Sequence, residues 1–153
     1  MGASGKVASG IDIVKRLIQG ADYTNAARSM MMAVGCIQAQ TCHTGFCPTG
    51  VTTQDPIRER ALVVPDKGQR VFNFHRSTLI ALKDLVQAAG LQHPQDITAH
   101  HIVRRISDTE VRQLSNLILR VEPGMLLKGD LENQHNVFKL YWPIASAERF
   151  ALA

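Results

Sequence analysis

Between Gly35 and Pro56 the chain loses every hydrophobic period. Cysteine, threonine, glycine and proline replace the spaced apolar residues found on either side. A segment of roughly twenty residues with no helix or strand pattern is uncommon in a compact domain unless it carries function. It also limits the architecture, because the parts before and after it must pack around an irregular loop. Cys36, Cys42 and Cys47 all fall inside it, and no cysteine lies elsewhere.

The residues before the loop alternate between helical and extended signals. Ala3 to Gly10 is a small-residue loop. Ile11, Val14, Leu17 and Ile18 then recur at helical spacing, with Asp12 near the start and Gly20 as a stop. Residues 21–24 read as a short extended piece, and 25–34 as a second helix. Loop, helix, short strand, loop, helix is the rhythm of β/α units on a parallel sheet.

After the loop, Asp66 is placed as the cap of a long helix over 67–89. Its buried stripe is Val71, Phe72, Phe74, His75, Thr78, Leu79, Leu82, Leu85, Val86 and Ala89, and Gly90 ends it. A short helix is expected from Thr98 through 105. The Ser107-Asp108-Thr109-Glu110 capping box predicts another over 107–119. The tail from Met125 has no strong period, and no internal repeat is visible.

Composition removes several classes. Of 153 residues, 45% are hydrophobic and 20% charged, enough apolar surface to offset ordering entropy. No apolar run reaches the roughly 18 to 20 residues of a membrane-spanning helix. The first residues show no signal-peptide stretch, so a cytoplasmic location is the expectation. The 17 basic against 13 acidic residues give a net charge of +4, weak grounds for nucleic-acid binding. The basic stretch at 100–105 reads as a solvated helix face.

The cysteines are spaced C-x5-C-x4-C, with Pro48 after the last. Thiolates are soft ligands that suit iron–sulfur clusters, zinc or copper(I). Three in one loop match the three irons of a 3Fe–4S cluster, or would hold a 4Fe–4S cluster with one iron left for another ligand, and Cys-Pro at the last ligand recurs in ferredoxin-type loops. Zinc prefers four ligands at closer spacing, and His43 adjoins Cys42 too directly to share one ion with ease. Three unligated structural cysteines are the bland alternative. The residues alone leave these readings open.

Gly20-Ala21-Asp22, Gly35-Cys36, Cys42-His43, Cys47-Pro48-Thr49-Gly50-Val51 and Thr53-Gln54-Asp55-Pro56 together resemble the FMN-binding synthase domain of glutamate synthases. Asn25-Ala26-Ala27-Arg28 and Val63-Val64-Pro65-Asp66-Lys67 liken the chain to the smaller glutamate-synthase-like FMN-binding proteins. The likeness is close over residues 4–54 and looser to about 120. It implies an α/β fold: the C-terminal part of a TIM-type (β/α)8 barrel (residues 1–56) with a helical C-terminal extension (57–153), locally mostly α-helical with one or two short strands.

The resemblance also implies cofactors and roles. Cys36, Cys42 and Cys47 would hold a 3Fe–4S cluster. Ser4 and Gly5, after the seventh strand, and Asn25, Ala26 and Ala27, after the eighth, would hold the FMN phosphate. Loops seven and eight of such barrels commonly form a phosphate site. The implied activity is an oxidoreductase forming glutamate from 2-oxoglutarate and ammonia or glutamine-derived nitrogen. Its electrons come from ferredoxin or an NAD(P)H-linked partner. A (β/α)8 barrel needs about 200 residues or more, so the remaining strands are expected on the same or another chain. The alternative is a non-catalytic iron–sulfur electron-transfer or structural module.

Other residues receive plainer readings. Lys6 is expected to be a solvated lysine, His75 a satisfied core histidine, and Met30, Met31 and Met32 packing residues. His43 could tune a cluster or simply face water. Carboxylates are dispersed, so no acid–base pair is proposed.

Overall fold

In the computed structural model, which describes residues 1–118, 121–129, 131–132 and 134–148, the chain divides into two compact units, Met1–His101 and Ile102–Ala153. The first unit opens with β1 (Gly2–Ser4), α1 (Gly10–Leu17), β2 (Tyr23–Asn25) and α2 (Ala27–Val34). The cysteine loop follows, with one 3-10 turn at Cys42–Thr44. A one-turn helix α3 (Pro56–Glu59) leads to the long α4 (Val64–Ala88). The strands β1 and β2 pair in parallel, with Gly2 opposite Tyr23, Ala3 opposite Thr24 and Ser4 opposite Asn25. This is one β-α-β unit followed by a second helix, the alternation expected from the sequence.

The core of this unit lies where α1 and α2 pack on α4. Val14 is its anchor at 1% exposure, joined by Val7, Leu82, Val86 and Ile97. The approach of α1 to α4 is set by Gly10. A Cβ built on Gly10 would lie 2.6 Å from the backbone nitrogen of Leu82 and 2.9 Å from the carbonyl carbon of Ala81. Real Cβ atoms do not come that close to backbone, so only glycine lets the start of α1 rest on the α4 main chain.

The start of α1 is fixed by its own carboxylate. Asp12 Oδ2 accepts hydrogen bonds from the Ser9 hydroxyl at 2.8 Å, the Ser9 N–H at 3.2 Å and the Ala8 N–H at 3.3 Å. This is the reaching-back half of a capping box, with a negative charge at the positive helix end. The Ser9 hydroxyl bond is the largest reason the Asp12 carboxyl sits below its ordinary pKa, with the Ala8 N–H and nearby Lys15 adding to it.

The long helix differs from expectation at its start and on its surface. It begins at Val64, three residues earlier than the spacing implied, and Val63 is the N-cap, so Asp66 lies in the first turn and caps nothing. Pro65 there needs no N–H partner, which makes it a natural starter. Val71, Phe74, Thr78, Leu82, Leu85, Val86 and Ala89 are covered or partly covered, whereas Phe72, His75 and Leu79 are exposed. His75 is therefore not a core histidine. The cause is one-sided contact: α4 is covered only where α1 and α2 touch it, a narrower stripe than its apolar residues could fill. Gly90, at φ 73°, ends the helix as expected.

The second unit departs more strongly. The helices expected over 98–105 and 107–119 do not form within the described residues, and Leu119 lies outside them. A 3-10 turn at Ala99–His101 closes the first unit. An antiparallel hairpin then pairs β3 (Val103–Arg105) with β4 (Val111–Gln113). Ser107-Asp108-Thr109-Glu110 is the hairpin turn, in which the Ile106 N–H donates to the Glu110 carbonyl at 2.9 Å and Arg105 donates to the Asp108 carbonyl at 3.0 Å. Ser, Asp and Thr serve turns as well as helix starts, and β-branched Val103 and Val111 tip the balance to strand. The basic stretch thus lies on a 3-10 turn and a strand, not on a helix face. A short α5 (Asn136–Tyr141) follows. Four short strands in two pairs occur among the described residues, more than the one or two expected.

Two outcomes check this account. G10A should destabilise the first unit by about 2 kcal/mol, the usual cost of overpacking a rigid contact, read from denaturant unfolding. D12N should cost about 1 kcal/mol at neutral pH. Because the folded pKa of Asp12 is lowered, its contribution is fully present above about pH 4 and is lost as pH falls through the folded value. The wild-type advantage over D12N should therefore shrink on acidification; an advantage that grew with acid would contradict the capping role.

Candidate functional site

Parallel pairing brings the two small-residue loops to the same end of the sheet. Ser4 and Asn25 are direct partners in register, so the segments that follow each strand start side by side. Gly5 then turns at φ 96° and Lys6 at φ 52°, a left-handed pair that folds the first loop back. The Arg16 guanidinium donates to the Gly5 carbonyl at 2.8 Å and holds this turn from α1. Lys6 is exposed, as expected for a solvated lysine.

Ser29 ties the loops together. Its side chain, on a residue only 7% exposed, lies 2.8 Å from the Val7 carbonyl oxygen and 2.9 Å from the Ala26 carbonyl oxygen. One hydroxyl proton is shared between two acceptors. This links the loop after β1 to the loop after β2 through a buried group, which fixes their spacing. The sequence reading did not single out Ser29. A lone serine on a helix otherwise rich in Met and Ala was its available signal.

The two helix starts behind these loops differ electrostatically. The Asp12 carboxylate already occupies the first turn of α1. By contrast, α2 has Ala26 as its N-cap, no side-chain cap and no acidic residue in its first turn. Its first N–H groups lack the side-chain acceptor a helix start normally recruits, so this end of α2 suits an external anion. Arg28, exposed in that first turn, adds positive charge. Of the expected phosphate residues, Asn25, Ala26 and Ala27 also line an open pocket of about 600 Å³ that α4 closes with Phe74, His75 and Thr78. Ser4 and Gly5 are outside that lining and meet the others through the strand register.

The cysteine loop is held at its C-terminal half. The Thr53 hydroxyl donates to the Gly45 carbonyl at 2.6 Å. Asp55 caps α3 by accepting from the Ile57 N–H at 2.9 Å. The Arg58 guanidinium sits over the Phe46 ring at 5.4 Å. Gly50, at φ 76°, is pressed against α3: a Cβ there would meet the Arg58 carbonyl oxygen at 2.4 Å. Two non-glycine residues between the first two cysteines, Gln38 at φ 58° and Gln40 at φ 59°, adopt left-handed backbone. Such strain collects where structure serves a site rather than stability.

The three thiols occupy different settings. Cys36 is half-buried, Cys42 is exposed on the 3-10 turn, and Cys47 is buried at 8% exposure. Cys47 is poised as a thiolate. The Thr49 hydroxyl, 3.5 Å from its sulfur, is the main cause, followed by the Thr52 and Thr49 amides, and its pKa falls to about 6. The donor chemistry suits a soft metal. The geometry does not assemble it: among the described residues, no three His, Cys, Asp or Glu side chains gather to hold a metal ion. His43 and Gln54 are exposed. Met30 and Met31 are partly covered, whereas Met32 is 40% exposed.

Among the described residues, no helix is long and apolar enough to cross a membrane.

Comparison with known proteins agrees with the motif. Residues 1–92 match the family model described as a conserved region in glutamate synthase. The chain is 43% identical over 116 residues to the glutamate synthase large subunit-like protein YerD of Bacillus subtilis, covering 76% of this chain and 22% of that protein. It is 34% identical over 119 residues to ferredoxin-dependent glutamate synthase 2 of Synechocystis, covering 76% of this chain and 8% of that protein. It is 33% identical over 80 residues to the archaeal glutamate synthase [NADPH] of Archaeoglobus fulgidus, covering 52% and 16%. The chain therefore spans about a fifth or less of the length of these relatives. With more than half of its residues inside the family model, and its paired loops and cysteine segment inside that stretch, the chain belongs to the glutamate synthase family.

Proposed function

We propose that this chain supplies the flavin-phosphate corner and the iron–sulfur loop of a glutamate-synthase-type oxidoreductase. The reaction is the formation of glutamate from 2-oxoglutarate with ammonia or glutamine-derived nitrogen. The relatives named for ferredoxin and for NADPH support an electron donor of one of those two kinds.

The observation that carries this reading is the register of Ser4 against Asn25 beside the uncapped start of α2. A phosphate placed there receives main-chain N–H groups from α2, while Gly5 leaves the opposite wall open. Arg16 and Ser29 hold that geometry through their hydrogen bonds to the Gly5, Val7 and Ala26 carbonyls. Bound FMN would supply hydride transfer, and a bound 3Fe–4S cluster would supply one-electron relay. Cys47 is the ligand already poised to bind. Binding a cluster also requires Cys36 and Cys42 to be drawn toward it, which fits a loop anchored at one end and strained at the other.

The described residues contain one parallel strand pair. Parallel strands are normally covered on both faces by further structure. In this reading the remaining barrel strands come from the same or another chain and cover this pair. The alternative, an iron–sulfur module without catalysis, uses the same cysteines but needs no flavin.

Four measurements test this reading. Anaerobic reconstitution with iron, sulfide and FMN should yield both iron and flavin; iron without flavin would favour the non-catalytic module. C47A should lose the iron with the fold retained, whereas full retention of iron would remove Cys47 from the ligand set. G50A keeps all three thiols but drives a Cβ into α3, so it should lower iron retention several-fold through loop positioning alone. S29A should cost about 1–2 kcal/mol of stability and weaken flavin binding without affecting iron.

A further inference from the structure

Beside Cys36 lies a pocket of about 460 Å³ between the end of α2, the cysteine loop and the first turns of α4. Its walls include Met32, Gly35, Cys36 and Thr49, and its charged residues are Lys67 and Arg70. Both cations converge on one point. The position a Cβ would take on Gly35 is 3.6 Å from Lys67 Nζ and 3.8 Å from Arg70 Nη1. Gly35 carries no side chain there and, at φ 125°, admits one only with strain, so the space above it stays open.

This placement works against stability. Two like charges share one wall of a pocket. Lys67 also stands near the N-terminal end of α4, where the helix dipole disfavours a cation. The partial offset is Asp66, 3.6 Å from Lys67 Nζ and largely exposed. The Arg70 guanidinium has no hydrogen-bond acceptor or ion-pair partner among the described residues, leaving its donors available. The Lys67 side chain is only 22% exposed, whereas Arg70 is exposed.

We propose that this pocket binds a small oxyanion, a phosphate or a carboxylate, clamped between Lys67 and Arg70 and resting on Gly35. A planar guanidinium beside an ammonium suits an anion with two accessible oxygens. The Thr49 hydroxyl and the apolar wall at Met32 leave room for an uncharged body on the ligand. The site is separate from the α2 helix start proposed for the flavin phosphate, since no residue lining it belongs to that loop pair. It places a bound anion next to Cys36.

The test uses the full chain, reduced and free of iron and flavin, labelled with ¹⁵N. Inorganic phosphate and, separately, acetate are titrated against chloride at constant ionic strength. Saturable shifts of the Gly35 and Cys36 amides and of the Arg70 Nε–H are expected. The anion that saturates at the lower concentration identifies the head group. K67Q and R70Q should each weaken binding at least ten-fold, and K83Q, further along α4, should leave it unchanged. Shifts that stay linear and match those in chloride, or affinity unaltered in both variants, would falsify the site. Saturable shifts confined to Ala27 and Arg28 would also overturn it, while supporting the flavin-phosphate reading. Failure of iron or flavin to load leaves this experiment untouched, so the two readings fail independently.

Discussion

The contact between Gly10 and the main chain of Leu82 is the constraint on which the first unit depends. It lets α1 lie directly on α4, which buries Val14 and sets the distance between them. The packing of α2 against the same helix then holds the second loop in place. From this frame come the positions of Gly5, held through Arg16, and of Ala26, held through Ser29. The position of the uncapped end of α2 is thus a consequence of helix packing several residues away.

Charge placement follows a consistent logic in this unit. Where α1 begins, the chain supplies its own carboxylate, and the helix start is closed. Where α2 begins, it supplies neither cap nor acid, and the start is open. Where α4 begins, Asp66 lies in the first turn and Lys67 directly follows it. The first arrangement closes its helix start with a bonded carboxylate. The starts of α2 and α4 flank the segment that carries the cysteines.

Much of this was legible in the sequence. The β/α rhythm before the loop, the irregular loop itself and the helix stop at Gly90 all appear near their expected positions. Ser9-x-x-Asp12 is a capping box that can be read directly from the spacing. The errors have physical causes. His75 and Leu79 lie on a helical period, but period alone does not say how much of a helix is covered. Ser107 to Glu110 suits a turn as well as a helix start, and the choice was made by cross-strand pairing of Val103 with Gln113 and of Arg105 with Val111. No local pattern marks Ser29 or Arg70, and Lys67 stands out only as part of the Val63-to-Lys67 segment.

The sequence by itself determined the chemistry on offer: three soft thiols at a set spacing, small residues after each strand, and the family to which they belong. Spacing, composition and helical period are properties of neighbours along the chain, and they survive without knowledge of the fold. Only the tertiary structure decided which groups meet. It set Ser4 beside Asn25, let one hydroxyl bridge two loops, gave Cys47 its threonine donors and turned Lys67 and Arg70 onto Gly35. It also left the three thiols ungathered among the described residues. Each of these depends on distances through space, which the close approach of α1 and α2 to α4 establishes and no run of adjacent residues encodes.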